Sequence, residues 1–207
     1  MQHITIADFQ KMVAAAYETI SARAEEFSKL DAVLGDGDHG EAITTALKVI
    51  KTDSVKSKDF KTILGDMGFG VMLQTSGSTS TLLGGFMLGM ADTIEGDDIT
   101  ELDADGLKKM VIGALAGVQK NTKAQPGDKT IMDSLVPAIN AIENADTKDC
   151  KELFEIGAKA ALEGAEKTKA MKANFGRARN LGDKSIGPID PGALSWATML
   201  DAFAKAL

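Results

Sequence analysis

Residues 107–118 read Leu-Lys-Lys-Met-Val-Ile-Gly-Ala-Leu-Ala-Gly-Val and show the pattern that decides the fold. Apolar side chains recur there every three or four positions, which is the period of a helix with one buried face. The acidic run 101–105 lies near the start of this stretch, where negative charge stabilises a helix N-terminus. The stretch therefore predicts an amphipathic helix.

The same periodicity recurs along most of the chain, at about eight places, and no set of alternating strands accompanies it. The clearest further stripes are residues 9–20, 42–50, 60–67, 135–142, 153–162 and 194–203. Gly84, Gly85 and Gly89 fall inside another helical stretch, where we expect them to allow close packing against a neighbouring helix. These patterns predict an all-α fold, with residues 1–207 forming a single domain of helices joined by short loops.

Composition narrows the class of protein. The formal net charge of −7 argues against a nucleic-acid or anionic-membrane surface. One cysteine excludes a disulfide framework, and two histidines make a zinc site improbable. The N-terminus lacks the features of a signal peptide, and the longest apolar stretch, residues 82–91, is too short to span a bilayer. We therefore expect a soluble, cytoplasmic protein.

The loops are more unusual than the helices, because four of them are polar and contain glycine. They are residues 31–40, 75–80, 122–130 and 176–192. Long connections between helices tend to be functional. In an up-and-down bundle alternate loops lie at the same end, so that several of these segments could form one site.

The first of these loops reads Asp-Ala-Val-Leu-Gly-Asp-Gly-Asp-His-Gly and carries the carboxylates of Asp31, Asp36 and Asp38. Each pair at about 4 Å would repel by roughly 4 kcal/mol in a partly wet site, unless a cation lies among them. Oxygen ligands without thiols suit Mg²⁺ or Ca²⁺. The glycines allow a tight backbone. The loop therefore predicts a site for a hard cation.

Three other interpretations of this loop exist. Residues 35–40 fit the dinucleotide pattern G-x-G-x-x-G, but no buried strand precedes them. An EF-hand starting at Asp36 would place Glu41 where glycine is required and Leu47 where glutamate is expected. A purely structural role, with Asp38 capping the following helix, stays open.

Phosphate fits the remaining polar segments. The amides of residues 39–42 open a helix and offer an anion site beside the metal, and the side chain of His39 could add a hydrogen bond. Residues 75–81 supply hydroxyls at another helix start, and Arg177 or Arg179 could neutralise a phosphoryl group. No acyl-transfer nucleophile with its base is evident. The sequence therefore favours phosphoryl transfer, which needs positioning, metal ions and positive charge.

Several segments together resemble the L subunit of dihydroxyacetone kinase, across essentially the whole chain. The segments are Leu30–Gly40 (LDAVLGDGDHG), Gln125–Thr130 (QPGDKT), Gly176–Arg179 (GRAR), Leu181–Gly187 (LGDKSIG) and Asp190–Gly192 (DPG). The resemblance implies an antiparallel barrel of eight helices with the nucleotide bound at one end. The chain departs most from the family in residues 75–81, which contain fewer glycines.

The resemblance also implies the site residues. Asp31, Asp36 and Asp38 would hold two Mg²⁺ ions that bridge the phosphates of ADP or ATP, and Arg177 would stabilise charge on the transferred group. The implied nucleotide-binding residues are His39, Gly40, Glu41, Ala42, Thr79, Ser80, Thr122, Ile131, Arg177, Asp190, Pro191 and Gly192. Thr122 and Ile131 would contact the adenosine part.

Partner subunits follow from the same resemblance. Dihydroxyacetone would be bound by a separate K subunit, and bound ADP would be recharged in place by a phosphohistidine-carrying M subunit. Alternatively, free ATP is the donor to dihydroxyacetone or a related ketose. A non-enzymatic divalent-metal-binding protein is the alternative from a different class, and a homodimer is left open.

Overall fold

The computed structural model describes residues 1–207 and contains nine α-helices, two short strands and two 3₁₀ segments. The helices are α1 (Ile6–Ala22), α2 (Ala24–Leu34), α3 (His39–Asp53), α4 (Phe60–Gln74), α5 (Ser78–Ala91), α6 (Ala104–Gln119), α7 (Met132–Asn144), α8 (Cys150–Lys167) and α9 (Pro191–Ala206). The 3₁₀ segments are Thr168–Ala170 and Arg177–Ser185. None of the helices combines the length and the apolar character needed to cross a membrane.

The all-α fold is confirmed, and the helices close into a ring. Taken in order around the ring, α1, α3, α4, α5, α6, α7, α8 and α9 each pack against the next, and α9 packs against α1. Helix α2 follows α1 after a break at Arg23 and packs, like α1, against α3. The ninth helix therefore comes from this break, and α1 with α2 occupies one place in an eight-membered barrel.

The connections alternate between the two ends of the barrel. We call the end that bears the α2–α3, α4–α5, α6–α7 and α8–α9 connections the site end, and the opposite one the far end. At the far end, β1 (His3–Thr5) pairs antiparallel with β2 (Glu101–Asp103), and the N-terminal amine bonds the Asp149 carboxylate. This small sheet, which the sequence analysis did not predict, ties the N-terminus to the α5–α6 connection.

A continuous core of 51 buried residues runs through the ring. The periodic side chains of the stretch that begins at residue 107 are part of it, and Leu107, Met110 and Ala114 are all at most 3% exposed. Trp196 of α9 meets Phe86 of α5 edge to face, with ring centroids 5.2 Å apart. The amphipathic faces that were expected from the sequence therefore meet inside the barrel.

The glycines of α5 have the expected role. A Cβ added at Gly89 would lie 2.2 Å from the carbonyl oxygen of Gly113, and one added at Gly85 would lie 2.8 Å from that of Gly117. A Cβ at Gly84 would meet the side chain of Met72 at 2.6 Å. Helix α5 thus approaches α6 backbone to backbone, which any larger side chain would prevent.

Candidate functional site

The four polar loops come together around one cavity at the site end, with a volume of about 490 Å³, within the range of ligand pockets. Each of the four connections at this end contributes to its wall. The contributing stretches are residues 31–42, 76–82, 121–132 and 175–196. The convergence follows from the alternation of an up-and-down barrel.

The three aspartates form a compact group on one side of the cavity. Asp31, Asp36 and Asp38 each offer a carboxylate oxygen, and the three oxygens lie within 4.8 Å of one another. One oxygen of Asp31 accepts hydrogen bonds from the backbone N–H groups of Gly37 (3.0 Å) and His39 (3.2 Å). Gly37 has φ +82°, a conformation that favours glycine and folds the loop back over Asp31.

Asp38 occupies the N-cap position of α3, yet its side chain makes no capping hydrogen bond. The structural alternative for this residue therefore finds no support in the geometry. Asp36 and Asp38 are both exposed, and Asp31 is half-buried. Three carboxylates, close together and not used as caps, fit a hard divalent cation such as Mg²⁺.

Arg177 lies beside this acidic group. Its guanidinium pairs with the Asp36 carboxylate, and Gly176, with φ +63°, turns the chain just before it. Both partners are largely exposed, so the pair itself contributes little to stability. The pair matters because it places the positive charge of Arg177, which belongs to the α8–α9 connection, beside the α2–α3 loop.

The side chain of His39 points to a different partner than expected. Its Nε2 atom lies 2.8 Å from Oγ of Ser195. The Ser195 hydroxyl donates its hydrogen to the carbonyl of Gly192 at 3.1 Å. With that donation in place, Oγ is left to accept a hydrogen bond from a protonated Nε2. Burial, partly opposed by Asp31, holds the His39 pKa below its usual value, so that the ring is neutral near pH 7. His39 therefore joins the N-termini of α3 and α9.

The hydroxyl-bearing residues of segment 75–81 have two different environments. Thr79 lines the cavity in the first turn of α5, whose N-cap Gly77 provides no side-chain cap. Ser80 is 3% exposed, and its hydroxyl bonds Thr75 Oγ1 (2.6 Å) and the carbonyl of Ser76 (2.9 Å). Thr79 and the uncapped start of α5 border the cavity, whereas Ser80 holds the turn together.

The start of α9 forms the opposite wall. Asp190 caps the helix by accepting a hydrogen bond from the N–H of Ala193 at 2.7 Å, and burial raises its pKa to about 7. Pro191 and Gly192 line the cavity beside Ile131. A Cβ on Gly192 would lie 2.9 Å from Cγ2 of Ile131, so glycine permits the α6–α7 connection to approach this helix.

Most of the residues implied by the resemblance therefore line the cavity, with three exceptions. They are Gly40, Glu41 and Ser80, none of which contributes to its wall. Gly40 is buried, and a Cβ there would lie 1.9 Å from the carbonyl oxygen of Ala24, so it allows α3 to cross α2 closely. Glu41 is exposed. The implied residues that do line the cavity are Asp31, Asp36, Asp38, His39, Ala42, Thr79, Thr122, Ile131, Arg177, Asp190, Pro191 and Gly192.

Sequence reasoning missed several wall residues. Asn121, Phe175 and Trp196 lie in or next to the segments that it identified, but no motif singled them out. Lys129 lies within the segment 125–130 but was given no role of its own, and it is 1% exposed. Lys129 has a left-handed backbone conformation (φ +62°), which is unusual for lysine. Apart from Gly127 two positions earlier, nothing in the sequence indicates this conformation.

Fold and site together define a helical barrel with a carboxylate-bearing cavity between its loops. Residues 33–205 match the model of the DAK2 domain family, and the chain belongs to that family. The resemblance to the L subunits of dihydroxyacetone kinases is thereby confirmed. The chain is 33% identical to the Listeria innocua protein named PEP-dependent dihydroxyacetone kinase 1, ADP-binding subunit DhaL, over 91% of this chain and 90% of that one.

Two further relatives place the match in context. The Escherichia coli PEP-dependent dihydroxyacetone kinase ADP-binding subunit DhaL is 31% identical, with 91% of each chain covered. The L-erythrulose 1-kinase of Mycolicibacterium smegmatis is 33% identical over 94% of this chain, which corresponds to 35% of that protein.

A solved structure shares the fold. The dihydroxyacetone kinase of C. freundii, crystallised with AMP-PNP and Mg²⁺, superposes with a TM-score of 0.73 at 24% identity. The match covers 96% of this chain and 33% of that one. This likeness confirms the all-α architecture that was expected from the sequence.

Proposed function

We propose that this chain is the nucleotide-binding subunit of a dihydroxyacetone kinase. In this role it holds ADP or ATP with Mg²⁺ and passes the terminal phosphoryl group to dihydroxyacetone bound on a separate K subunit. The observation that carries the proposal is the convergence of three carboxylates, an uncapped helix N-terminus and Arg177 on a single cavity. Each of these is a component that phosphoryl transfer uses.

The roles of the chain's residues follow from their positions. Asp31, Asp36 and Asp38 would hold two Mg²⁺ ions, the number that the family resemblance implies, and the metal would neutralise phosphate charge. The N–H groups at the start of α5 would receive phosphate oxygens. Arg177 would add positive charge near the transferred group.

The other walls of the cavity suit the rest of a nucleotide. Thr122 and Ile131 lie in the α6–α7 connection, where we place the adenosine part. Asp190, Pro191 and Gly192 form the wall beside them. Gly40 and Ser80 would act by shaping the backbone around the site, whereas the exposed Glu41 lies outside the cavity wall.

For the phosphoryl donor we favour a phosphohistidine M subunit that recharges bound ADP in place. This choice is supported by the relatives whose own length is covered to 90%, which are named as PEP-dependent ADP-binding subunits. A second candidate is a ketose kinase that uses free ATP, because an L-erythrulose 1-kinase is as similar in identity.

The first experiment is calorimetric titration of the full chain with ADP, with and without Mg²⁺. We expect Mg²⁺-dependent binding that is lost in Asp36→Asn and kept in Asp146→Asn, which changes an exposed aspartate of the α7–α8 connection. Equal affinity with and without Mg²⁺ would contradict the proposal, and tight Ca²⁺ binding without nucleotide would favour a metal-binding protein.

The second experiment separates the two donors. The purified chain is combined with a K subunit and dihydroxyacetone, and turnover is measured with ATP alone or with a phosphohistidine M subunit and bound ADP. Many turnovers with M subunit and only one with ATP support the favoured donor. Many turnovers with ATP alone would establish the second candidate.

A further inference from the structure

Lys129 is the one lysine in the core, and its surroundings are unusual. The residue is 1% exposed and has φ +62°, although lysine rarely occupies either a fully buried position or a left-handed backbone. Burial is the main cause of a Lys129 pKa below its usual value, opposed by the nearby carboxylates of Asp190 and Asp133. Such a costly placement persists only where the surrounding structure requires it.

The Lys129 ammonium group is held by two backbone carbonyls. Nζ donates to the carbonyl oxygen of Thr168 and to that of Pro188, each at 2.5 Å. A lysine placed to contact a phosphate would present its N–H groups to the cavity, whereas these two point into the protein backbone. Lys129 therefore uses two of its three N–H donors on the chain itself, although it forms part of the cavity wall.

The two carbonyls stand at the two ends of one segment. Residues 169–187, which we call the basic loop, lie between them and carry five Lys or Arg side chains against one aspartate. The ends of the loop are also joined by the N–H of Gly187, which donates to the carbonyl of Lys169 at 2.8 Å. Lys129 thus closes the neck of the loop that carries Arg177.

The turn that holds Lys129 makes a further contact with the loop. The carbonyl of Asp128 accepts from the N–H of Asn174 at 3.1 Å. Within the loop the N–H of Ala173 donates to Oγ of Ser185 at 2.9 Å, and these two are its only buried residues. The 3₁₀ segment Arg177–Ser185 packs against α2, and Arg177 reaches Asp36. The position of Arg177 over the aspartates therefore depends on how the neck is fixed.

We propose that Lys129 is a positioning residue that clamps both ends of the basic loop and so places Arg177 at the reacting phosphoryl group. The part that concerns catalysis rests on the proposed function; the clamp itself is a property of the free chain. The clamp needs one buried ammonium with several donors, because a neutral apolar side chain of equal length cannot donate to two carbonyls.

The clamp is tested by hydrogen exchange on the full chain without ligands. In Lys129→Met we expect the amides of Ala173, Asn174 and Gly187 to exchange roughly 10-fold faster or more, with helices α4–α6 unchanged. The matched control is Lys108→Met, which removes another lysine–carbonyl contact, Nζ to Ala145 at 2.5 Å, at the far end. Unchanged loop exchange in Lys129→Met would overturn the clamp.

A second variant covers the case in which Lys129→Met does not fold. Lys129→Gln keeps a polar head but is too short to reach both carbonyls, so it should give the same local increase in exchange. Lys129→Arg, which keeps the charge and several donors, should restore most of the protection. Exchange in Lys129→Gln that matches the wild-type chain would equally overturn the clamp.

The catalytic arm measures phosphoryl transfer with partner subunits. We expect Lys129→Met to lower kcat about as much as Arg177→Ala while KM for the nucleotide stays within about 3-fold, and Lys129→Arg to recover activity. The double variant should be no worse than Arg177→Ala alone. Additive losses would overturn the positioning role. If the wild-type chain transfers no phosphoryl group, the proposed function fails, and the exchange experiment still decides the clamp.

Discussion

The two ends of the barrel begin their helices in different ways. At the far end α1, α4, α6 and α8 each start at an N-cap residue whose side chain accepts a hydrogen bond from a backbone N–H. These N-cap residues are Thr5, Asp59, Asp103 and Asp149. At the site end α3, α5 and α7 start without one, at Asp38, Gly77 and Ile131. The first N–H groups of a helix need an acceptor. The far end supplies these acceptors from N-cap side chains. At the site end only α9 has such a cap, from Asp190, and in α7 the N–H of Met132 donates to Oγ1 of Thr130 instead. The first turns of α3 and α5 are the ones that no N-cap side chain closes, and both border the cavity.

Aspartate shows the contrast most directly, because the same residue has two roles. Asp103 accepts from the N–H of Gly106 at 2.8 Å and closes the start of α6. Asp38 has the same position before α3 but turns its carboxylate to Asp31 and Asp36. One aspartate stabilises a helix, and the other belongs to a charge cluster that costs stability until a cation joins it.

The largest expected effect is at Asp38. Asp38→Ala should weaken Mg²⁺-dependent ADP binding by roughly 100-fold, because a metal ligand is lost. The melting temperature without metal should stay the same or rise, since a repulsive charge is removed and no cap is broken. Calorimetry and a thermal melt check both parts. A clear loss of stability in the metal-free chain would make Asp38 a structural residue.

The next effect is on the pH dependence of stability and concerns Asp190, which caps α9 at the site end. Its pKa of about 7 is above that of an unfolded aspartate, so between about pH 4 and 7 the unfolded chain ionises first and binds fewer protons. Its contribution to stability is therefore present at low pH and decreases as the pH rises through this window.

Asp190→Asn removes this titration and keeps an oxygen that can accept from Ala193. The free energy of unfolding, measured by urea titration at several pH values, should fall less steeply from pH 4.5 to 7 in the variant than in the wild-type chain. Parallel profiles would show that Asp190 ionises normally.

A smaller effect is expected at Asp103. Asp103→Ala removes the cap of α6 and should cost about 1 kcal/mol of stability, or roughly 2–4 °C in melting temperature. The affinity for Mg-ADP should not change, because the residue lies at the far end. A change in nucleotide affinity would break the division of roles between the two ends.

The smallest expected effect is the change in stability caused by Arg177→Ala. The pair with Asp36 is largely exposed, so its loss should change the free energy of unfolding by less than about 1 kcal/mol. Phosphoryl transfer with the partner subunits should nevertheless fall strongly. A large loss of stability would mean that the arginine anchors the basic loop.

Much of the fold could be predicted from local patterns. The periodic stretches at residues 107–118, 9–20 and 194–203 all appear as helices, because each depends on neighbours within one or two turns. The sheet between β1 and β2 could not be predicted, since it joins three-residue segments almost 100 positions apart. The break at Arg23 escaped as well, because both sides of it continue the helical pattern.

The site divides in the same way. The dense aspartates and glycines of residues 31–40 indicated a cation from the sequence alone, because charge repulsion acts between neighbours in the chain. The partner of His39 is 156 positions away, and the two carbonyls that hold Lys129 are 39 and 59 positions away. No local pattern carries such information.

The sequence by itself therefore determined a helical chain with four polar, glycine-containing loops and the dense carboxylates of the first of them. Only the tertiary structure decided which donors stay free, which aspartate caps a helix and which one faces the cavity. The physical reason is that helix formation depends on residues three or four positions apart, whereas burial and hydrogen-bond satisfaction depend on closing the ring of helices.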